Sequence, residues 1–257
     1  MPRWALTCAW RRDGEPVWRD ERWVADEGQD YGHDAARASA FIRQLALRLL
    51  VTDRHVQPAY EDAWYHLWRE RRLPTNVDPL QSNLSDPIER ARLARIFEQG
   101  LGRVVGYALP LRAAGAGWES GPWFLRTETL FLTPGDSPMG LRLPLDSLPW
   151  QAPGGVPDSL PPDPMANQAL LPTRQRPTSP AAVAATAAAA AAQRSAAASA
   201  VPRAGQSADW IVRTALCVEP RHGRLHVFLP PVESTTAYLN LVAAIEDTAA
   251  ELATPIV

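Results

Sequence analysis

A long tract rich in alanine and proline interrupts the chain and limits how the rest can fold. Fourteen of the twenty residues in 181–200 are alanine, and proline and serine are frequent across the wider segment 151–208. Alanine favours a helix locally, but the alanine run has no large apolar side chain that could dock on a core. We therefore predict a disordered or transiently helical linker or insertion over 151–208, a boundary between the regions 1–150 and 209–257.

The region before the tract alternates between helix and strand patterns. Apolar residues recur every three or four positions after Asp34, which predicts an amphipathic helix over 34–49. A further helix is predicted over 86–99, where Asp86 is suited to the N-cap and Pro87 to the first helical position. The remaining predictions are a turn at 11–16 with a returning strand at 17–18, a short helix over 61–71 and a glycine-rich linker at 113–117. Strands are predicted over 4–10, 55–60, 104–111 and 123–133. The segment 141–143 is predicted to be either an edge strand or a binding loop.

The region after the tract contains a hairpin and a helix. Strands are predicted over 210–218 and 224–229 around a turn at 220–223, followed by a helix over 234–252. One face of this helix is expected to carry Tyr238, Leu241, Val242, Ile245, Ala249 and Leu252. The chain then runs through Pro255 to Val257, a pattern with which an α/β unit enters its next strand. These patterns predict an α+β fold of antiparallel sheets with packed helices, and we expect the chain to be an internal fragment of a longer polypeptide.

Composition narrows the possible chemistry. All 26 basic residues are arginine, so Walker-type phosphate binding, Schiff-base formation and a serine–lysine dyad are excluded. A formal net charge of -2 gives no general attraction to nucleic acid or anionic lipid, and no apolar run is long enough to cross a membrane. Cys8 and Cys217 lie far apart without a metal-ligand spacing. We therefore expect a cytoplasmic protein that binds neither nucleic acid nor membranes.

Charged residues recur at every second position of the predicted C-terminal hairpin. If its polar faces align, Arg213, Glu219, Arg224 and His226 cluster on one side of the sheet. One interpretation is a half-solvated sheet with cross-strand charge pairs. The other is a functional site, in which a carboxylate binds Mg2+ and arginines bind phosphate groups.

Two further segments carry charged residues that suit a binding or catalytic site. Arg126 and Glu128 fall on the apolar face of the predicted strand 123–133, which predicts either an ion pair at a strand end or edge, or a site role. Arg142 lies in the segment 134–150, whose proline, glycine and aspartate residues predict rigid turns that could hold polar groups toward a ligand.

Three other features each have a structural and a functional interpretation. Asp30, His33 and Asp34 could bind a metal ion, although an N-cap at the helix start is the favoured interpretation. The aromatic residues of 64–68 could be core or an interface patch. Cys217 near two histidines could be a hydrolase nucleophile, but an inert buried cysteine fits a strand interior better.

Several segments together resemble a known family. They are 56–62 (VQPAYED), 72–80 (RLPTNVDPL), 89–98 (ERARLARIFE), 134–150 (PGDSPMGLRLPLDSLPW) and the stretch 213–250. These segments resemble large bacterial proteins in which a transglutaminase-like domain precedes a long domain of unknown function classed as an amidoligase. The resemblance covers nearly the whole chain except the alanine- and proline-rich tract. In that family the matching region extends beyond residue 257, which supports the expectation of a fragment.

The resemblance implies a distant relationship to the glutamine synthetase and glutamate–cysteine ligase superfamily, whose antiparallel catalytic sheet binds Mg2+ and ATP. In such enzymes ATP phosphorylates a carboxylate, and an amine attacks the acyl phosphate. The resemblance implies that Glu219 is a metal ligand and that Arg213 and Arg224 contact phosphate or carboxylate groups. The candidate set is completed by Arg126 and Arg142 as catalytic residues and by Glu128 as a second metal ligand.

The sequence thus leads to two hypotheses of different class. In the first, the chain is part of an ATP-dependent carboxylate–amine ligase that acts on a peptide or amino-acid carboxylate and is inactive alone. In the second, it is a noncatalytic interaction module that positions a transglutaminase-like or peptidase domain through the aromatic surface at 64–68. Both place a transglutaminase-like domain in the same or a neighbouring polypeptide.

Overall fold

A computed structural model of the chain describes residues 10–62, 102–115, 117–125, 128–134, 141–153, 171 and 201–257. The predicted strand 4–10, except for Trp10, and the predicted helix 86–99 lie outside these residues, as does the helix 61–71 beyond residue 62. Glu61 itself belongs to a strand.

One mixed sheet forms the centre of the described fold. Its strands are β1 (Gln57–Glu61), β2 (Val104–Pro110), β5 (Leu130–Pro134), β6 (Leu141–Arg142), β7 (Ala215–Arg221) and β8 (Arg224–Phe228). The spatial order is β6-β5-β1-β2-β7-β8, and every neighbouring pair is antiparallel except β1 and β5. A separate small hairpin consists of β3 (Arg112–Ala114) and β4 (Gly117–Glu119). The predicted α+β class is confirmed.

The two regions on either side of the alanine- and proline-rich tract share this sheet. Strand β2 pairs with β7, and Ala108 lies opposite Cys217 in that ladder. At the base of the tract, Ala208 donates its backbone N–H to the carbonyl oxygen of Trp150 at 2.9 Å. The segment between them is therefore inserted into one sheet, and the predicted boundary does not separate two sheets.

Two helices cover one face of the sheet, which we call the helix face. They are α1 (Ala35–Arg48) and α2 (Thr235–Glu251), and their N-caps are Asp34 and Ser234, which accept from the backbone N–H groups of the third helical residues at 2.9 and 3.1 Å. Both predicted helices are confirmed. Their core with the sheet includes Ala38, Phe41, Ile42, Leu45, Leu109, Leu216, Val218, Leu225, Leu241 and Ile245. Among the residues that the structure describes, no helix is long and apolar enough to span a membrane.

Helix α2 buries most of the predicted stripe, namely Leu241, Val242, Ile245 and Ala249, with two differences. Tyr238 is 43% exposed, whereas Glu246 is buried. The carboxylate of Glu246 accepts the backbone N–H groups of Arg19 and Asp20 at 2.9 and 2.7 Å. Hydrogen bonds to a buried carboxylate offset its desolvation, so Glu246 anchors the N-terminal segment on α2, a long-range contact that helical periodicity cannot indicate.

The opposite face of the sheet, which we call the loop face, is covered by irregular segments. Its core contains Ala59, Ala108, Trp123, Leu125, Leu130, Leu132, Leu148, Ala208, Ile211 and Cys217. Trp123 donates its indole N–H to the carbonyl oxygen of Val212 at 2.6 Å. The flanks of the tract therefore contribute directly to this second core.

Four local predictions are wrong. The strand predicted over 210–218 begins only at Ala215 and runs on to Arg221. Val17 and Trp18 form a bend rather than a returning strand, and the expected linker 113–117 contributes to the β3–β4 hairpin. Of the predicted strand 123–133 only the C-terminal part forms, as β5, and Trp123 packs in the loop-face core instead. By contrast, Leu141–Arg142 is the edge strand that the sequence allowed.

Candidate functional site

A two-residue turn sets the geometry of the C-terminal hairpin. Arg221 pairs with Arg224 across the end of the β7–β8 ladder, and both connecting residues, His222 and Gly223, have positive φ angles of 48° and 72°. Positive φ at both positions is the conformation of a type I′ turn, which matches the twist of the flanking strands. The predicted turn 220–223 began two residues too early, which hid Arg221 as a strand residue.

This register places four polar side chains on the loop face. Cys217 lies opposite Phe228, and both belong to the core of that face. Because side chains alternate along a strand, Glu219, Arg221, Arg224 and His226 extend from the same face, closer to the turn. We call these four residues the hairpin cluster; the predicted grouping of Glu219, Arg224 and His226 forms, with Arg221 added.

Arg221 is held between an acidic and an aromatic side chain. Its Nη2 atom donates to Glu219 Oε2 at 2.9 Å, and its guanidinium carbon lies 5.4 Å from the centre of the Phe228 ring. The ring of His226 stacks on the same Phe228 ring at 6.4 Å and 16°. These contacts order the Arg221 guanidinium and the His226 imidazole over one aromatic platform.

Two donor-capable atoms of the cluster are buried without a hydrogen-bond partner. They are Arg224 Nε and His226 Nε2. Burial lowers the pKa of His226 below its usual range, and the nearby charges of Arg221, Arg224 and His222 lower it further. Buried polar groups are normally paired, and these two orphan nitrogens lie on neighbouring loop-face positions of β8, where a ligand could accept from them.

A glycine lies beside the cluster in the middle of the sheet. Gly106 on β2 pairs with Ala59, and a Cβ atom at this position would lie 2.9 Å from the carbonyl oxygen of Val218 and 3.5 Å from both Cα and Cβ of Glu219. The absence of a side chain therefore permits close approach of β2 and β7 next to Glu219. Glu61, two residues after Ala59 on β1, follows the same alternation toward the loop face and is buried. Sequence reasoning missed Glu61 because the aromatic pattern after it predicted a helix.

The other predicted site residues lie elsewhere. Arg213 precedes β7, six residues from Glu219, a separation of roughly 20 Å along an extended chain. Its guanidinium donates to the carbonyl oxygen of Pro149. Arg142 is exposed on the edge strand β6, and Glu128 is an exposed turn residue with a φ of 54° just before β5. Since β1 and β2 separate β5 from β7, Glu128 and Glu219 are not brought together; Arg126 lies outside the described residues.

The loop that contains Asp30 and His33 packs against the hairpin turn. Tyr31 and His33 donate their backbone N–H groups to the carbonyl oxygen of Gly223 at 3.2 and 2.9 Å. Asp34 caps α1, as the favoured interpretation predicted, and Asp30 accepts from the backbone N–H of Gly32 at 2.7 Å. These acidic residues have structural roles that support the loop and the helix.

Cys217 does not have the properties of a nucleophile. Its side chain lies in the loop-face core, and burial raises the pKa of its thiol to about 12, with a smaller contribution from the negative charge of Glu219. A thiolate is the reactive form of cysteine, so the hydrolase interpretation has no support here.

The cluster suits an anion better than a metal ion. Mg2+ needs several oxygen ligands. The hairpin cluster has one carboxylate, Glu219, whose Oε2 accepts from Arg221, and the buried Glu61 on β1 is a second carboxylate on the loop face. Two guanidinium groups and an imidazole make up the rest. Across the described ranges, no group of three or more histidine, cysteine, aspartate or glutamate residues could hold a metal ion. Glu219 and Glu128 are not brought together, so they do not form one metal site among the described residues, and Glu219 as a metal ligand stays a prediction.

Comparison with protein families identifies the chain. Residues 1–257 match the family described as "Putative amidoligase enzyme (DUF2126)". Searches of curated proteins and of solved structures found no match. Because the family match spans every residue of the sequence, this chain belongs to the amidoligase family of that description.

Proposed function

We propose that the chain forms part of an ATP-dependent carboxylate–amine ligase. Membership of the amidoligase family supports the reaction class, because an amidoligase joins a carboxylate to an amine. The structural observation that carries the proposal is the hairpin cluster, in which Arg224 Nε and His226 Nε2 are buried without partners on one face of the sheet. Carboxylates and phosphates, the groups that such a reaction activates and transfers, are recognised by donors of this kind.

Within this proposal, the hairpin cluster binds an anionic group of the substrate or of ATP. Arg224 and Arg221 supply positive charge, and Phe228 supplies a rigid platform. Pre-organised donors stabilise charge more effectively than mobile ones. The acyl donor is proposed to be a peptide or amino-acid carboxylate, the acyl acceptor is the amine, and a transglutaminase-like domain in the same or a neighbouring polypeptide is the proposed partner.

We also propose that the chain does not turn over ATP alone. Within the hairpin cluster the one carboxylate, Glu219, is paired with Arg221, so we expect catalysis to need acidic groups from outside the cluster, including groups of a larger protein. The interaction-module alternative rests on the aromatic residues 64–68, which lie outside the described residues, and no described contact favours it.

An assay of ADP formation tests the proposal. A longer version of the protein that includes the neighbouring sequence of its gene should form ADP only when Mg2+, a carboxylate such as glutamate or a short peptide, and an amine are all present. Arg224→Gln should lower that rate by tenfold or more, whereas Arg54→Gln, an exposed arginine away from the sheet face, should not change it.

Two results would contradict the proposal. ADP formation above background by the 257-residue chain alone would show that it is not inactive. Failure of the longer protein to form ADP with any carboxylate and amine pair, although it is folded, would contradict the ligase function itself.

A further inference from the structure

We infer that the loop 26–33, which we call the brace loop, holds the hairpin turn in place, and that Asp30 is a positioning residue for the hairpin cluster. This role rests on the proposed function only in so far as the cluster is the proposed site. It concerns the geometry of the turn, so it can be tested in the 257-residue chain without any turnover of ATP.

The carboxylate of Asp30 lies directly on the turn. A Cβ atom added to Gly223 would lie 1.6 Å from Asp30 Oδ1 and 2.4 Å from the carboxyl carbon of Asp30. Gly223 also has a φ of 72°, a conformation that other residues rarely adopt. The same Oδ1 atom accepts from the backbone N–H of Gly32 at 2.7 Å. Asp30 therefore occupies the space that a side chain at position 223 would need, and its own orientation is fixed.

The backbone of the brace loop holds the same turn residue. Tyr31 and His33 donate their N–H groups to the carbonyl oxygen of Gly223 at 3.2 and 2.9 Å, and their rings stack at 5.7 Å. The carbonyl group of Gly223 belongs to the planar peptide unit that ends at the Cα atom of Arg224. Two hydrogen bonds to this carbonyl oxygen therefore fix the plane in which β8 begins.

The brace loop is closed on itself and anchored at both ends. Asp26 donates its backbone N–H to the hydroxyl oxygen of Tyr31 at 3.0 Å. Just before the loop, Ala25 donates its backbone N–H to the carbonyl oxygen of Ile256 at 2.8 Å. Just after it, Asp34 caps α1. A segment fixed in this way supports its neighbour as a rigid element does, because little of it can move when the turn is pushed.

The turn in turn sets the positions of the cluster side chains. Arg224 follows Gly223 directly, His226 lies two residues further along β8, and Arg221 pairs with Arg224 across the turn. A shift of the turn would therefore displace three of the four side chains of the hairpin cluster. Binding groups lose much of their effect when they are displaced by about 1 Å, so the brace loop matters to the proposed site although it lies outside the cluster.

A pair of glycine variants measures the contact between Asp30 and the turn. Gly223→Ala is compared with Gly205→Ala, because Gly205 has a φ of 75° but a Cβ there meets no atom within 4 Å. In urea denaturation, Gly223→Ala should raise the unfolding equilibrium constant by about tenfold more than Gly205→Ala does. Adding Asp30→Ala should recover part of this difference, because it removes the atoms with which the new Cβ collides. If Gly223→Ala folds only together with Asp30→Ala, that result is the expected recovery.

The NMR signals of the His226 imidazole separate positioning from general stability. They are assigned by their loss in His226→Gln. We expect Asp30→Ala to shift them, and Asp30→Asn, which keeps the size of the side chain and an acceptor oxygen, to leave them in place. Ser234→Ala is the control, because it removes the N-cap of α2, on the opposite face of the sheet from the cluster, and should lower stability without moving these signals.

The rate of ADP formation by the longer protein adds a functional measurement. Asp30→Ala should lower kcat/KM by about tenfold, whereas Asp30→Asn should stay within about threefold of the unchanged protein. If the longer protein forms no ADP, the ligase proposal is contradicted, while the glycine pair and the His226 signals still decide the role of Asp30.

The positioning role is overturned if Gly223→Ala and Gly205→Ala destabilise the chain equally, or if Asp30→Ala recovers none of the difference. It is also overturned if Asp30→Ala moves the His226 signals no more than Ser234→Ala does. A shift in Asp30→Asn as large as that in Asp30→Ala would contradict it as well, because the charge of Asp30 rather than its contact with the turn would then be responsible.

Discussion

Ala208 is hydrogen-bonded to Trp150 across the whole alanine- and proline-rich tract. The backbone N–H of Ala208 lies 2.9 Å from the carbonyl oxygen of Trp150, and the backbone N–H of Ala152 donates to Ser207 Oγ at 2.9 Å. Both ends of the tract are thus fixed side by side on the loop face. The two ends of the tract are therefore joined next to the sheet and its loop-face core.

Shortening the tract should therefore leave the fold intact. Replacing 156–200 with six glycine and serine residues removes none of the described core contacts, and a shorter loop costs less entropy to close, by about 0.6 kcal/mol for each halving of its length. We expect a free energy of unfolding equal to or about 1 kcal/mol above that of the unchanged chain. Urea denaturation measures it, and loss of a cooperative transition would contradict the prediction.

Gly106 should not tolerate a side chain. In Gly106→Ala the added Cβ would lie 2.9 Å from the carbonyl oxygen of Val218, so β2 and β7 must move apart. We expect a loss of about 1–3 kcal/mol in the free energy of unfolding.

Gly117→Ala is the matched control for Gly106→Ala. Gly117 is also a strand residue, but a Cβ there meets no atom within 4 Å. It should leave stability unchanged or raise it by up to about 1 kcal/mol. Equal changes in the free energy of unfolding in the two variants would show that the close approach of β2 and β7 at Gly106 does not affect stability.

The Cys217 thiol should be inert while the protein is folded. In a Cys8→Ser background, we expect no reaction with a disulfide reagent at pH 8, because burial raises the pKa of the thiol to about 12. The same protein in denaturant should react with one equivalent. Rapid labelling of the native protein would mean that Cys217 is accessible and would reopen the nucleophile hypothesis.

Stability should fall as the pH decreases from 7.5 to 5.5. Burial is the main cause that lowers the pKa values of His33, His55 and His226 below the ordinary value of 6.5. Below pH 6.5 the unfolded chain therefore takes up protons that the folded chain does not, which favours unfolding. The carboxyl groups of Asp13 and Asp20, with pKa values of about 2, do not titrate in this range.

Urea denaturation at the two pH values measures this effect. His226→Gln should show a smaller loss of stability between pH 7.5 and 5.5 than the unchanged chain, because it removes one of the three histidines. Burial and the charges of Arg221, Arg224 and His222 all act on His226 in the same direction. A stability that is constant or higher at pH 5.5 would contradict the prediction.

Local patterns were sufficient for several elements of this protein. The helix after Asp34, the C-terminal helix, the hairpin and the strand that begins near Val104 follow from apolar spacing and from caps, which act over a few residues. The pairing of Glu219 with His226 also follows once the two-residue turn is placed correctly. Only the end of the strand predicted over 123–133 forms, because the packing of Trp123 in the loop-face core overrides the local preference for a strand.

Sequence alone thus determined the α+β class, the main helices and the alternation that puts Glu219, Arg224 and His226 on one face, because these depend on neighbours in the chain. Only the tertiary structure decided that β1 lies parallel to β5, that β2 pairs with β7 across the tract, and that Arg221 bonds to Glu219 while Arg213 contacts Pro149. Such contacts join residues far apart in the chain. The free energy of such a contact depends on burial and on the identity of both partners. Neither is visible as a periodic pattern in the sequence.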